Sequence, residues 1–231
     1  GYQIAIIDKN RFTNPKNLTY DFRTTAIAEG SKSFLEKQKI WKKISEFAQP
    51  IEKIQVFDRN ISNNLEFKNP HKKSFLGYIV KNKNLKKIFL NEIKTKSNID
   101  LMANSELQSI ETRTNILILR TSGAKLHTKI LIAADGKNSF VRKLKKNKIF
   151  EKNYRHNAFV VNLCHQNDHQ NTAYEIFFKT GPLAILPMKK EFSNGFCSSV
   201  VWSHSQDFLC SLDKINNRLL KAILEEKLIR Y

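Results

Sequence analysis

The chain has 231 residues, 41% of them apolar and 10% aromatic, which excludes a disordered polypeptide and allows one large domain or two modest ones. Its net charge of +19, from 40 basic and 21 acidic residues, invites a nucleic-acid reading. The lysines are spread over most of the chain with no arginine–aromatic platform, so no nucleic-acid partner is expected, and the charge suits an anionic membrane surface or a polyphosphate equally well.

In chain order, "YQIAIIDKN" (2–10) is a short apolar run ending in Asp8 and predicts a buried parallel strand. Residues 11–20 read as a loop around Pro15. From Thr24 to Trp41, Ile27, Phe34, Leu35 and Ile40 fall at helical spacing. A break follows at Pro50, then the alternation of Ile51, Ile54 and Val56 predicts a strand ending at Asp58-Arg59-Asn60, with 61–74 as a hairpin connection. "LGYIV" (76–80) predicts a strand or a lead into a helix over 82–94, where Leu85, Ile88, Phe89 and Ile93 share one face. Strands are expected over 99–103, 114–121 and 127–135, with Ser122-Gly123 turning between the last two. Beyond the basic segment 141–152 the texture changes to successive antiparallel strands over 156–165, 172–178, 183–188 and 196–202, closed by an amphipathic helix over 215–229. The mixture predicts an α/β (α+β mixed) fold of two interleaved lobes: 1–45 with 76–152 as a partial nucleotide-binding lobe of Rossmann type, and 46–75 with 153–231 as an antiparallel-sheet substrate lobe.

The longest apolar runs, "LIAA" and "AFVV", are far too short to cross a bilayer, and the start of the chain does not resemble a signal peptide. Gly1 stands almost directly before the apolar run "IAII", as if the chain began inside a fold. Cys164, Cys197 and Cys210 form no CxxC pair and leave one cysteine over in any disulfide scheme, so a reduced, cytoplasmic setting is expected.

Two aspartates carry the chemistry of interest. Asp8 ends a buried strand, where a carboxylate can accept from both hydroxyls of a nucleotide ribose; equally, aspartates end strands of every kind. Asp135-Gly136 follows "LIAA" and precedes a basic helix. There a glycine lets the backbone turn closely, a helix start offers amides to a phosphate, and Asp135 could hold a ribose or ribitol hydroxyl. Asn138 and Ser139 could instead simply cap that helix. "CHQNDH" (164–169) holds possible metal ligands in His165, Asp168 and His169, but its polar centre between two strands reads as a turn, and no metal is expected. No G-x-S-x-G elbow supports triad hydrolysis.

Taken together, "DFRTTAIAEGSKSFLEKQKIW" (21–41), "QPIEKIQVFDR" (49–59), "LGYIVKNKNLKKIFL" (76–90), "LIAADGKNSFVR" (131–142), "TAYEIFFKTGPLAILPM" (172–188) and "SVVW" (199–202) resemble, in the same order, segments of the flavoprotein aromatic hydroxylases, most closely the ubiquinone-biosynthesis monooxygenases. The resemblance spans essentially the whole chain. It implies FAD as cofactor and NAD(P)H as co-substrate, with one atom of dioxygen passing to the ring of a small, lipid-like polyprenylated phenol. It places Asp8 at the ribose-binding acid, usually Glu in the family, and Arg23 beside the flavin nucleotide's phosphates. Asp135 and Gly136 fall on the family's Asp-Gly fingerprint for FAD and the nicotinamide nucleotide, and "GPLAILP" (181–187) on a substrate-lobe strand near the flavin ring. Lys81 stands where relatives commonly carry an acid and receives no role, and no catalytic acid or base is implied.

Two departures stand out. The family's Gly-rich fingerprint should precede the Asp8 strand, yet only seven residues stand before Asp8, and the later Gly-Asp flavin motif is missing before Tyr231. The expectation is therefore a fragment of such a hydroxylase, or the product of a broken or split gene, working in the cytoplasm with a peripheral contact to the inner membrane or to a quinone-biosynthesis complex. The competing expectations are another FAD oxidoreductase of the same fold, such as a halogenase or prenyl reductase, and an inactive remnant or basic binding module.

Overall fold

The computed structural model describes residues 1–12, 21–58, 64–70, 74–190, 195–212 and 214–228. Most of the loop expected over 11–20, the strand end at 59–60 and parts of 61–74 lie outside them. The fold is mixed α/β, as the patterning predicts, and it divides into two compact units: 1–19 with 89–152, and 20–88 with 153–231. Residues 20–45 and 76–88, grouped by sequence with the first lobe, thus cluster with the second.

In the first unit, β1 (Ile4–Ile7) pairs in parallel with β7 (Ile99–Met102), Ile4 opposite Ile99 and Ile7 opposite Met102. A separate antiparallel meander joins β8 (Leu107–Arg113), β9 (Ile116–Thr121) and β10 (Lys125–Thr128). The unit's apolar burial is thin. Ile118 and Leu119 of β9 are its buried apolar side chains among the described residues, while Ile130 and Ile132 are 70% and 82% exposed.

The second unit is built on a six-stranded sheet in the order β11-β14-β13-β12-β4-β5. Its members are β4 (Lys53–Asp58), β5 (Leu65–Lys68), β11 (His156–His165), β12 (Thr172–Phe178), β13 (Gly181–Met188) and β14 (Phe196–Ser205). All its pairings are antiparallel except β12 with β4. Alternation splits the side chains between two faces. On one, Ile176, Leu183, Val200 and Trp202 pack with Leu209 and Leu212 of α5 (Gln206–Leu212) and Leu224 of α6 (Asn217–Leu228). On the other, Ala173, Met188 and Cys197 meet Ile51 and Ile79, which belong to a small sheet of β2 (Thr24–Ala28), β6 (Gly77–Lys81) and β3 (Gln49–Ile51). Gly181 opens β13 at φ +137, where a Cβ would collide with the Ser203 carbonyl of β14, so the tight strand start demands glycine. The helices α1 (Glu29–Lys37), α2 (Trp41–Ser45) and α3 (Asn82–Lys94) complete the main elements, and α3 bears the stripe predicted for it.

Four local expectations are corrected. Thr24–Ala28 is a strand rather than the start of a helix: β-branched Thr24, Thr25 and Ile27 suit pairing with β6, and the helix begins only at Glu29. Pro50 does not break the chain but lies inside β3, opposite Tyr78, which an edge strand tolerates because one side of its ladder needs no donor. Residues 65–68, taken as connection, form β5 against β4. Finally, the strand expected over 127–135 stops at Thr128, and Leu131 to Ala134 have no ladder partner among the described residues.

Candidate functional site

Asp8 stands just past the C-terminal end of β1, where nucleotide sites of parallel sheets form. The ladder extends one step beyond the strand, since the Asp8 amide donates to the Met102 carbonyl at 3.1 Å and its own carbonyl accepts from Ser105 at 2.9 Å. The Asp8 side chain is exposed and accepts the Asn10 amide through Oδ1 at 2.8 Å, a turn that fixes the carboxylate at the strand mouth. That placement suits a diol-binding acid.

Asp135 is in the same unit, also exposed, and its carboxylate is engaged by the helix that follows. Oδ2 accepts the amides of Phe140 at 2.7 Å and Val141 at 3.2 Å, at the start of α4 (Phe140–Leu144). Ser139, the N-cap, accepts the Arg142 amide at 3.1 Å. Bonding to the Ser139 hydroxyl, with help from those amides, holds the Asp135 carboxyl below the usual carboxylate range. The helix-start amides that a phosphate could use are therefore taken by the chain itself. Gly136, at φ +80 with open space where a Cβ would be, supplies the left-handed turn and leaves the backbone approachable.

Arg23 belongs to the second unit, and sequence reasoning missed its partner. Its Nε and Nη2 form a two-pronged bond to Asp21, at 2.8 and 2.9 Å, and Lys86 adds a third contact to the same carboxylate at 2.7 Å. The Asp21 side chain is only 5% exposed, and the Arg23 guanidinium, followed by Lys86, holds its carboxyl far below the usual range. The D-x-R spacing was the available signal. It orients the guanidinium but leaves it partly neutralised.

The second unit also holds a cavity of about 340 Å³ at the ends of β6 and β13 and the start of α3, where Phe47, Ile79 and Met188 meet Lys81, Lys83 and Lys189. Its apolar floor continues the face of the six-stranded sheet that carries half-buried Glu175, whose carboxyl is pushed up by burial. On that face Asn162 and Ser199 stand opposite each other on β11 and β14. Asn162 Oδ1 and Ser199 Oγ are both buried, with no hydrogen-bond partner among the described residues. His165 and His169 instead serve their turn and sheet: His165 bonds Ser198 Oγ at 2.9 Å and the Asn167 carbonyl at 2.8 Å, and the Asn171 amide donates to His169 Nδ1.

No protein-family model matches the chain. It is 23% identical over 99% of its length to the ubiquinone hydroxylase UbiM of Neisseria meningitidis, of which it covers 50%. Against the ubiquinone biosynthesis monooxygenase COQ6 of Xenopus tropicalis it is 29% identical over 86% of its length, covering 44% of that protein. In structure it matches PqsL, a probable FAD-dependent monooxygenase from Pseudomonas aeruginosa, with a TM-score of 0.73 at 12% identity, over 91% of this chain and 56% of that one. The chain spans about half the length of the curated relatives it matches. Along nearly all of its length, then, its sequence is similar to the ubiquinone hydroxylases and its fold to the FAD-dependent monooxygenases, the resemblance its ordered motifs imply.

Proposed function

We propose that the chain is part of an FAD-dependent monooxygenase that hydroxylates a polyprenylated phenol in ubiquinone biosynthesis, with NAD(P)H and dioxygen as co-substrates. The observation that carries this reading is similarity to ubiquinone hydroxylases over 99% of the chain, on a fold shared with FAD-dependent monooxygenases. Bound FAD would supply the electron transfer and oxygen activation that no side-chain constellation provides.

The residues fit such a cofactor unevenly. Asp8 fits well, since an exposed carboxylate held by one amide still has acceptor capacity for ribose hydroxyls. Gly136 leaves the backbone open beside Asp135, so the Asp135-Gly136 turn fits close approach of a ligand better than phosphate capture. Arg23, clasped by Asp21, fits a positioning role toward the nucleotide's phosphates more than a bare charge. Toward the substrate, the apolar floor of Phe47, Ile79 and Met188 would hold a ring and exclude water. The charge of +19 favours a peripheral contact with an anionic membrane, where a polyprenylated substrate partitions. No helix among the described residues is long and apolar enough to cross one.

The test uses the protein made from the open reading frame that contains this chain, with FAD binding followed by fluorescence and NADPH-dependent oxygen uptake followed with a polyprenylated phenol. Flavin binding weakened roughly tenfold or more by Asp8→Ala, at unchanged thermal stability, is expected from loss of a charged hydrogen-bond acceptor. A protein that binds no flavin, or an Asp8→Ala variant that binds it unchanged, overturns the assignment.

A further inference from the structure

Three cysteines left over from the redox argument are not equivalent in space. Cys164 of β11 and Cys197 of β14 stand directly opposite one another on neighbouring antiparallel strands, with their sulfurs 3.7 Å apart. Cys210 is instead exposed on a helix, α5. We propose that Cys164 and Cys197 are an oxidation site, two thiols that a hydroperoxide converts to a disulfide clasping the edge strand β11 to β14.

The geometry asks for little movement. Side chains directly opposite on an antiparallel pair have Cβ atoms about 4.5–5.5 Å apart, against roughly 3.5–4.5 Å in a disulfide. The sulfurs must close by about 1.7 Å from their present 3.7 Å, within reach of side-chain rotation and a small approach of the strands. β11 can make that approach because it is the outermost strand of the sheet.

Exposure orders the chemistry. Cys164 is exposed and Cys197 buried, so the oxidant meets Cys164 first. Its thiolate attacks one peroxide oxygen and the O–O bond breaks, which gives a sulfenic acid and, after protonation of the leaving hydroxide, one water. The Cys197 sulfur then attacks the sulfenic sulfur, the S–S bond forms, and the departing hydroxyl takes a proton to leave as a second water. Two thiols lose two electrons and two protons, and hydrogen peroxide gains both. No other oxidant is needed. Because Cys197 packs with Ile79 and Met188, two residues that also line the cavity, the bond would form beside that cavity's floor.

The test treats the full chain with a small excess of hydrogen peroxide, quenches in acid, alkylates under denaturing conditions, and maps the peptides by mass spectrometry. The expected result is a peptide pair joining Cys164 to Cys197, lighter by two hydrogens and restored by dithiothreitol, with Cys210 fully alkylated. The oxidised chain should also melt at a higher temperature than the reduced one. Complete alkylation of all three cysteines after peroxide, a sulfinic acid at Cys164 with Cys197 alkylated, or a link that includes Cys210 each overturns the proposal. So does a Cys164→Ser variant that still forms an intrachain disulfide.

Discussion

In the second unit both faces of a six-stranded sheet are covered, by α5 and α6 on one side and by the small β2-β6-β3 sheet on the other. In the first unit β1 and β7 form a two-stranded parallel ladder, a type of sheet that normally buries both faces, yet Ile4 is exposed and Ile130 and Ile132 face solvent. The difference shows that sheet pairing and sheet burial are separate achievements. Local alternation builds a strand, but only a second layer turns its apolar side chains into stability. Of the residues expected to meet a nucleotide, Asp8, Asp135 and Gly136 lie in the thinly packed unit, whereas Arg23, the closed core and the cavity lie in the other. Among the described residues the second unit holds most of the buried large apolar side chains, and the first leaves Asp8, Asp135 and several isoleucines exposed.

The sharpest way to break this comparison is a pair of truncations. Ile176→Ala, in the fully buried layer against the helices, should cost about 2–5 kcal/mol in urea unfolding. Ile132→Ala should stay within about 0.5 kcal/mol, as exposed positions do. Equal costs would show that the segment around Ile132 is packed in solution, and the contrast between the units would fail.

Next in size is the buried carboxylate under Arg23. Asp21→Asn leaves Arg23 and Lys86 without their anion and should cost about 1–3 kcal/mol at neutral pH. The folded carboxyl of Asp21 lies below its ordinary value of 3.8, so its contribution is complete above that pH and is lost as the pH falls through the folded value. The penalty of Asp21→Asn should therefore shrink progressively in melts taken below pH 3.8. A penalty that does not change with pH would mean that Asp21 acts through packing rather than charge.

The smallest effect has the opposite sign. Burial raises the Glu175 carboxyl above its ordinary 4.5, so stability is greatest with Glu175 protonated and is lost as the pH rises through the folded value. Glu175→Gln should raise the melting temperature at pH 7 by roughly a few degrees and have little effect below pH 4.5. If the variant melts lower at pH 7, the carboxylate has a favourable partner, and the second unit's sheet face is more polar than its packing suggests.

Much of this was legible in the chain. The stripe of Leu85, Ile88, Phe89 and Ile93 announced α3, and the apolar runs after residue 155 announced β11 to β14 of the large sheet, because both patterns are set by residues a few positions apart. Thr24–Ala28 was misjudged because its apolar spacing suits a helix while its β-branched residues suit a strand, and β6 alongside settles the choice. Of the candidate site, the positions of Asp8 and Gly136 followed from strand ends and turns. Lys86's contact with Asp21 did not, since the two are 65 residues apart, whereas the Arg23 pair lay open in the D-x-R spacing.

What the sequence determined by itself was the α/β class, many of the strands and helices, and the ordered motifs that resemble those of the ubiquinone hydroxylases, all of which depend on local pattern. Only the tertiary structure decided which strands share a sheet, that Lys86 reaches Asp21, and that Cys164 faces Cys197. Those facts depend on how distant segments meet, and between strands a shift of one residue turns every side chain to the other face, which no local pattern reports.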